Sequence, residues 1–166
     1  MNETGSRDDE LFMKRAIALA RAAAAHGNEP FGALLVREGT VVCTSENRIF
    51  TRHDPTFHAE LGLIRRFCGK SGVTDLGAFT MYASCEPCFM CSGAIVRARL
   101  GRLVYAASSR DLSRIRGKEG CDCSRIVFEY SGRGPEVRAG VLREEAVEVL
   151  EAYFGAEVKE KEEEEL

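Results

Sequence analysis

The sequence lacks any uninterrupted apolar run of membrane length. Its most Ala-rich stretch, residues 16–25, is already broken by Arg21, which excludes a transmembrane helix of the usual kind. It also lacks a basic leader followed by an apolar segment: residues 1–10 read Met1-Asn2-Glu3-Thr4-Gly5-Ser6-Arg7-Asp8-Asp9-Glu10, polar and acidic. Secretion by a standard signal is therefore not expected, and the expected compartment is the cytosol. No internal repeat and no Pro/Ser-rich linker divides the 166 residues, a length that suits one domain. Cysteine is not scarce. Its count of seven is odd, and without a signal peptide these residues read as thiols or metal ligands rather than as a disulfide framework.

A basic excess is missing too. The formal net charge is -3, and residues 157–166 alone carry six Glu against two Lys, or -4, so the remaining 21 basic and 20 acidic residues stand at +1. A general nucleic-acid binder draws most of its non-specific affinity from phosphate neutralisation and would show a marked positive balance. One local exception keeps a phosphate-bearing partner open: residues 97–125 hold Arg97, Arg99, Arg102, Arg110, Arg114, Arg116, Lys118 and Arg125 against three acidic residues. The expected organisation is one domain over residues 1–155, followed by a solvated, disordered acidic tail over residues 156–166.

Apolar spacing supplies the elements. Phe12, Ala16, Leu19, Ala20 and Ala23 recur at helical intervals from about Asp8 to His26, with Gly27 in the position that ends a helix. Two β-prone runs, residues 31–37 and 40–46, flank Glu38-Gly39 and predict a hairpin. A second helix fits residues 57–68, a strand residues 78–84, a third helix residues 88–99 and a further strand residues 102–107. Strand, helix, strand in that order implies parallel pairing through a crossover. Residues 108–124 read equally as loop or short helix, residues 126–130 as a fifth strand, and Leu142, Ala146, Val149, Leu150 and Tyr153 as a closing helix up to Gly155. The sum is a three-layer α/β/α domain with a mixed central sheet of about five strands.

Two fragments carry chemistry: His58-Ala59-Glu60 and Pro87-Cys88-Phe89-Met90-Cys91, their histidine and first cysteine separated by 88 − 58 = 30 positions. One imidazole and two thiolates suit zinc, and a catalytic zinc keeps three protein ligands so that water can take the fourth place. Cys-x-x-Cys at a helix start gains from free N–H groups and the helix dipole, which favour thiolates. Glu60, two residues past the histidine, need not touch the metal; its fitting work is to take a proton from the water that zinc acidifies and return it to the substrate. H-x-E followed by P-C-x-x-C is the signature of zinc deaminases.

On these residues the chain resembles the cytidine/deoxycytidylate deaminase superfamily, and within it the guanine deaminase and tRNA adenosine deaminase branches. The resemblance is carried by Pro30-Phe31-Gly32-Ala33, Asn47, Asp54-Pro55-Thr56-Phe57-His58-Ala59-Glu60, Ser84-Cys85-Glu86-Pro87-Cys88-Phe89-Met90-Cys91, Gly93-Ala94-Ile95 and Tyr105-Ala106-Ala107. It implies Zn2+ held by His58, Cys88 and Cys91, and hydrolytic loss of ammonia from a nucleobase or nucleoside, with Glu60 as proton shuttle. By position it implies Asn47 and Phe31 at the base, Ala59 beside the ligand histidine, and the carbonyl of Glu86 accepting from the leaving amine. It further implies an acidic residue after the fourth strand, Glu119 or Asp122, and an aromatic near the C-terminus, Tyr153 or Phe154. A guanine-like purine is the expected substrate and a homodimer the expected assembly, since relatives assemble that way; adenosine within tRNA is the alternative substrate. Phe57 departs from the small residue that both branches place next to the histidine, which bears on pocket shape.

Two other readings remain open at this point. Cys-x-x-Cys in an α/β protein can be a thioredoxin-like redox pair, although that chemistry gives His58 and Glu60 no role. Cys88, Cys91, Cys121 and Cys123 could instead enclose a structural zinc in a non-catalytic module.

Overall fold

The computed structural model describes residues 3–164, with side chains over residues 7–155. Five strands form one sheet: β1 (Gly32–Arg37), β2 (Thr40–Glu46), β3 (Thr80–Cys85), β4 (Arg102–Ala107) and β5 (Glu136–Ala139), in the order β2-β1-β3-β4-β5. β1 is antiparallel to both neighbours, whereas β3, β4 and β5 run parallel. The helices are α1 (Glu3–Ala25), α2 (Ala59–Ser71), α3 (Phe89–Arg97), α4 (Ser109–Ile115), α5 (Cys123–Tyr130) and α6 (Arg143–Glu164). The expected mixed five-stranded sheet with helices on both sides is the one observed.

The period-two pattern of β1 explains the layers. Leu34 and Val36 face one core with Phe12, Met13 and Ile17 of α1 and Leu150 and Phe154 of α6. Ala33 and Leu35 face the other, with Leu63 of α2 and Ile95 of α3. A strand buried on both faces reads as a continuous apolar run, as residues 33–36 do. Gly32 has no substitute here, because a Cβ would stand 2.4 Å from Ala16 O and 2.5 Å from Leu19 Cβ of α1. The hairpin turn at Glu38-Gly39 has φ of 50° and 71°, the two positive values that match a tight turn to strand twist.

Residues 126–130 correct the sequence reading: they are helical, in α5, and the fifth strand lies later, at Glu136–Ala139. Ile126, Val127, Phe128 and Tyr130 are β-prone types, yet the main-chain N–H and hydroxyl of Ser124, in the first turn of α5, both donate to Glu86 (2.9 and 2.6 Å) and start a helix there. β5 hides because it is short, at an edge and charged, as edge strands often are. It is tied in by Arg138, which pairs with buried Asp9 of α1. Arg102 reaches the same carboxylate with two nitrogens, both at 2.8 Å, and the Tyr82 hydroxyl donates to it at 2.7 Å. The undecided stretch 108–124 contains α4, opened by a capping box between Ser108 and Asp111. The segment read as an acidic tail begins within α6, where side chains past residue 155 lie outside the described set, as do residues 165 and 166 altogether. No helix among the described residues is long and apolar enough to cross a membrane.

Candidate active site

His58 and Cys88 each occupy the position just before a helix, as the N-caps of α2 and α3. The strands that precede these helices, β2 and β3, are not neighbours; β1 lies between them. Because β1 is antiparallel to both, β2 and β3 run the same way and deliver their helix starts to the same sheet edge. That is the edge where open α/β sheets bind ligands.

There His58, Cys88 and Cys91 converge, with one ligand atom from each lying within 4.8 Å of the others. His58 Nδ1 and Cys88 Sγ are 3.5 Å apart. A tetrahedral zinc with bonds of roughly 2.05 Å to nitrogen and 2.3 Å to sulfur would hold that pair about 3.5 Å apart, so the donor set fits the ion in chemistry and in size. It is the one such group of three or more possible ligands among the described residues. Cys121 and Cys123 are not in it; their sulfurs face each other at 3.4 Å, which removes the four-cysteine structural zinc.

Hydrogen bonding to Cys91 and His58 pulls the Cys88 thiol down to about 4, against the cost of its burial. The partner effects appear in His58, raised by its bond to Cys88, and in Cys91, raised by sharing its proton with Cys88. These contacts favour the thiolate form of Cys88, the form that a zinc ligand needs. Glu60, only 7 % exposed, sits with Oε2 3.6 Å from Cys91 Sγ. Burial, its largest influence, raises the carboxyl above the ordinary range, the direction a proton shuttle working near neutrality needs.

Asn47 is wholly buried. Its Oδ1 accepts from the Ile49 N–H at 3.1 Å and its own N–H donates to Phe31 O at 2.9 Å, whereas its Nδ2 has no partner. An unpaired buried donor is costly, and a substrate acceptor would satisfy it. Asn28, buried one loop away, accepts from the N–H groups of Phe50 and Thr51 at 3.1 Å each and so fixes the segment between Asn47 and His58. The Ala59 methyl is in the core, leaving its backbone at the start of α2 as the part that can face a ligand.

Phe57 does not distort this arrangement, because its ring packs over residue 62, a glycine; a Cβ there would lie 3.0 Å from the ring. The Glu86 side chain is spent on structure: one oxygen accepts from the Ser109 N–H at 2.9 Å and the other from Ser124. Of the two acidic candidates, Glu119 is exposed on the loop between α4 and α5, and Asp122 is engaged by Arg110 at 2.6 Å and Arg125 at 3.3 Å. Of the two aromatics it is Phe154, 1 % exposed, that meets Phe31, with ring centres 6.1 Å apart, while Tyr153 packs edge-on against Phe154.

Two residues with no motif to reveal them join this wall. Arg116 lays its guanidinium 3.9 Å from the Phe154 ring centre and pairs at 2.7 Å with Glu29, whose charge is felt by His58. Proximity of Glu29 to Pro30-Phe31 was the only hint available.

The family model of the cytidine and deoxycytidylate deaminase zinc-binding region matches residues 6–107, which takes in all three ligand candidates and Glu60. The chain belongs to this deaminase family. Guanine deaminase of Bacillus subtilis (strain 168) is 43% identical to it over 103 residues, 61% of this chain and 66% of that enzyme. The tRNA-specific adenosine deaminase of the same organism is 35% identical over 149 residues, 88% of each chain. Among solved structures, guanine deaminase from Nitrosomonas europaea superposes with a TM-score of 0.78 at 29% identity, covering 88% of this chain and 84% of that one. A tRNA:A34 deaminase gives 0.72 at 35% identity, covering 83% and 97%. As a member of the family this protein is a deaminase with a zinc-binding region, acting by hydrolysis.

Proposed function

We propose that this deaminase removes the exocyclic amine of a small free purine, guanine-like, using zinc held by His58, Cys88 and Cys91. The carrying observation is the three-donor cluster with a buried carboxylate, Glu60, against it. When bound, zinc supplies the Lewis acidity that makes water a nucleophile near neutral pH. Glu60 moves the proton: it accepts one from the attacking water and passes it to the departing nitrogen, so that amine plus water becomes carbonyl plus ammonia. Asn47 donates through Nδ2 to an acceptor on the ring, and Phe31, backed by Phe154, gives the ring a flat apolar surface. The main-chain carbonyl of Glu86 accepts from the leaving amine, with the side chain of the same residue anchoring it.

Two features favour a free base over a base within RNA. The wall near Phe31 is built of Phe154, Arg116 and Glu29, tied to one another. In the basic segment Arg99, Arg102, Arg110, Arg114, Arg116 and Arg125 each have a carboxylate within 4.0 Å, which spends the charge that RNA binding would use. The second reading, adenosine within tRNA, is favoured by similarity to tRNA-specific adenosine deaminases along nearly the whole chain. Ammonia release measured across free bases, nucleosides, nucleotides and tRNA separates the two. Turnover of guanine is expected; inosine formed only in tRNA, with no free base attacked, overturns the first reading.

Phe89 and Met90, exposed at the start of α3 beside Cys88, offer an apolar contact to a second copy and support a homodimer, which sedimentation tests. All seven cysteines are free thiols, which suits a reducing compartment such as the cytosol.

A further inference from the structure

The deaminase chemistry leaves one motif unused, Cys121-Asp122-Cys123. The two sulfurs are in contact at 3.4 Å, both thiols are half-buried, and neither shares the zinc donor cluster. The backbone between them is already folded for closure. Asp122 has φ -84° and ψ 79°, close to the inverse γ-turn, which brings residues i and i+2 together. Its carboxylate is gripped from both sides, by Arg110 at 2.6 and 3.2 Å and by Arg125 at 3.3 Å, so the turn is held by charge as well as by conformation.

We propose that Cys121 and Cys123 form a reversible thiol–disulfide site, closed by a low-molecular-weight disulfide such as glutathione disulfide. The Cys121 thiolate attacks one sulfur of glutathione disulfide and releases one glutathione thiolate. Cys123 then gives up its proton and attacks the Cys121 sulfur of the mixed disulfide, releasing the second. The protein loses two electrons and two protons and gains one S–S bond; glutathione disulfide is reduced to two glutathiones. The sulfurs must approach from 3.4 Å to about 2.05 Å, and the ring closed across one residue is small, the kind of strained link that thiols reopen readily.

The position of the pair gives the link a consequence. Cys123 is the first residue of α5, and its neighbour Ser124 gives Glu86 two hydrogen bonds, at 2.9 and 2.6 Å. Glu86 is buried and directly precedes Pro87-Cys88. Drawing Cys123 toward Cys121 shifts Ser124, and a buried carboxylate that loses a donor relaxes at appreciable cost. Oxidation is thereby relayed to the strand end that carries the ligand cysteine.

The test places the zinc-loaded protein in glutathione buffers of increasing oxidation. Cleavage after Lys118 and Arg125 isolates both cysteines on one peptide, residues 119–125. The expected result is loss of two hydrogens from that peptide with no glutathione adduct, retained zinc, and a fall in kcat/KM of about ten-fold, the weight of one charged hydrogen bond, reversed by dithiothreitol. Cys121→Ser and Cys123→Ser should match the reduced wild type in activity and resist oxidation. A peptide that stays dithiol, or stops at a glutathione adduct, overturns the site. An internal disulfide without change in kcat/KM, or an equal loss in both serine variants, overturns its relay through Glu86.

Discussion

In the proposed site, the starts of α2 and α3 and the wall around Phe31 are two halves built in opposite ways. His58, Glu60, Cys88 and Cys91 lie within two short segments, each fixed by the local geometry of a helix start. The wall draws Glu29 and Phe31, Arg116, and Phe154 from three separate parts of the chain. A locally built half is constrained by chemistry alone, whereas a wall assembled at long range is free to change with the substrate.

Breaking the first half should have the largest effect. Cys88→Ala leaves two donors where zinc needs three, so metal content by mass spectrometry should fall from one per chain to near zero and turnover with it; full occupancy in this variant would dissolve the contrast. Asn47→Ala comes next. It stands between the halves, and losing the donor of a buried hydrogen bond should lower kcat/KM by roughly ten- to a hundred-fold while zinc stays bound. Arg116→Ala touches only the wall: zinc and kcat are expected to hold, while preference for free base over nucleoside should drop by about ten-fold, the range of one lost side-chain contact in substrate selection. Unchanged preference would place the determinant elsewhere.

The smallest effect concerns stability outside both halves. The Asp111 side chain is 6% exposed, and despite the desolvation that would raise it, hydrogen bonds from Arg143 and Ser108 hold its carboxyl at about 2 against an ordinary 3.8. A depressed carboxyl stabilises the fold at pH above its unfolded value and loses that contribution as pH falls through the folded one. Asp111→Asn should therefore cost about 2 kcal/mol near neutrality, with the difference from wild type in urea unfolding shrinking between pH 4 and about pH 2.

The same division governs what could be read in advance. Apolar spacing located α1, α2, α3 and four of the five strands, and the grouping of His58, Cys88 and Cys91 was legible because these residues fall in two short motifs. β5 was missed because Glu136 and Arg138 are charged edge residues whose strand is held by Asp9, far away in sequence. Residues 126–130 read as a strand because what starts α5 is a bond to Glu86, 38 positions earlier. The capping box at Ser108 and Asp111 is a local signal for the start of α4. Glu29 and Arg116 carried no pattern at all: their pairing spans 87 positions and depends on the whole sheet being in place.

Replacing Glu60 by Gln, an isostere that cannot take a proton, tests the central claim most directly, with zinc per chain and ammonia released from guanine measured on the same sample. The account predicts one zinc per chain, as in the wild type, and turnover reduced by about 10² to 10⁴. Wild-type ammonia release from the Gln variant would contradict it.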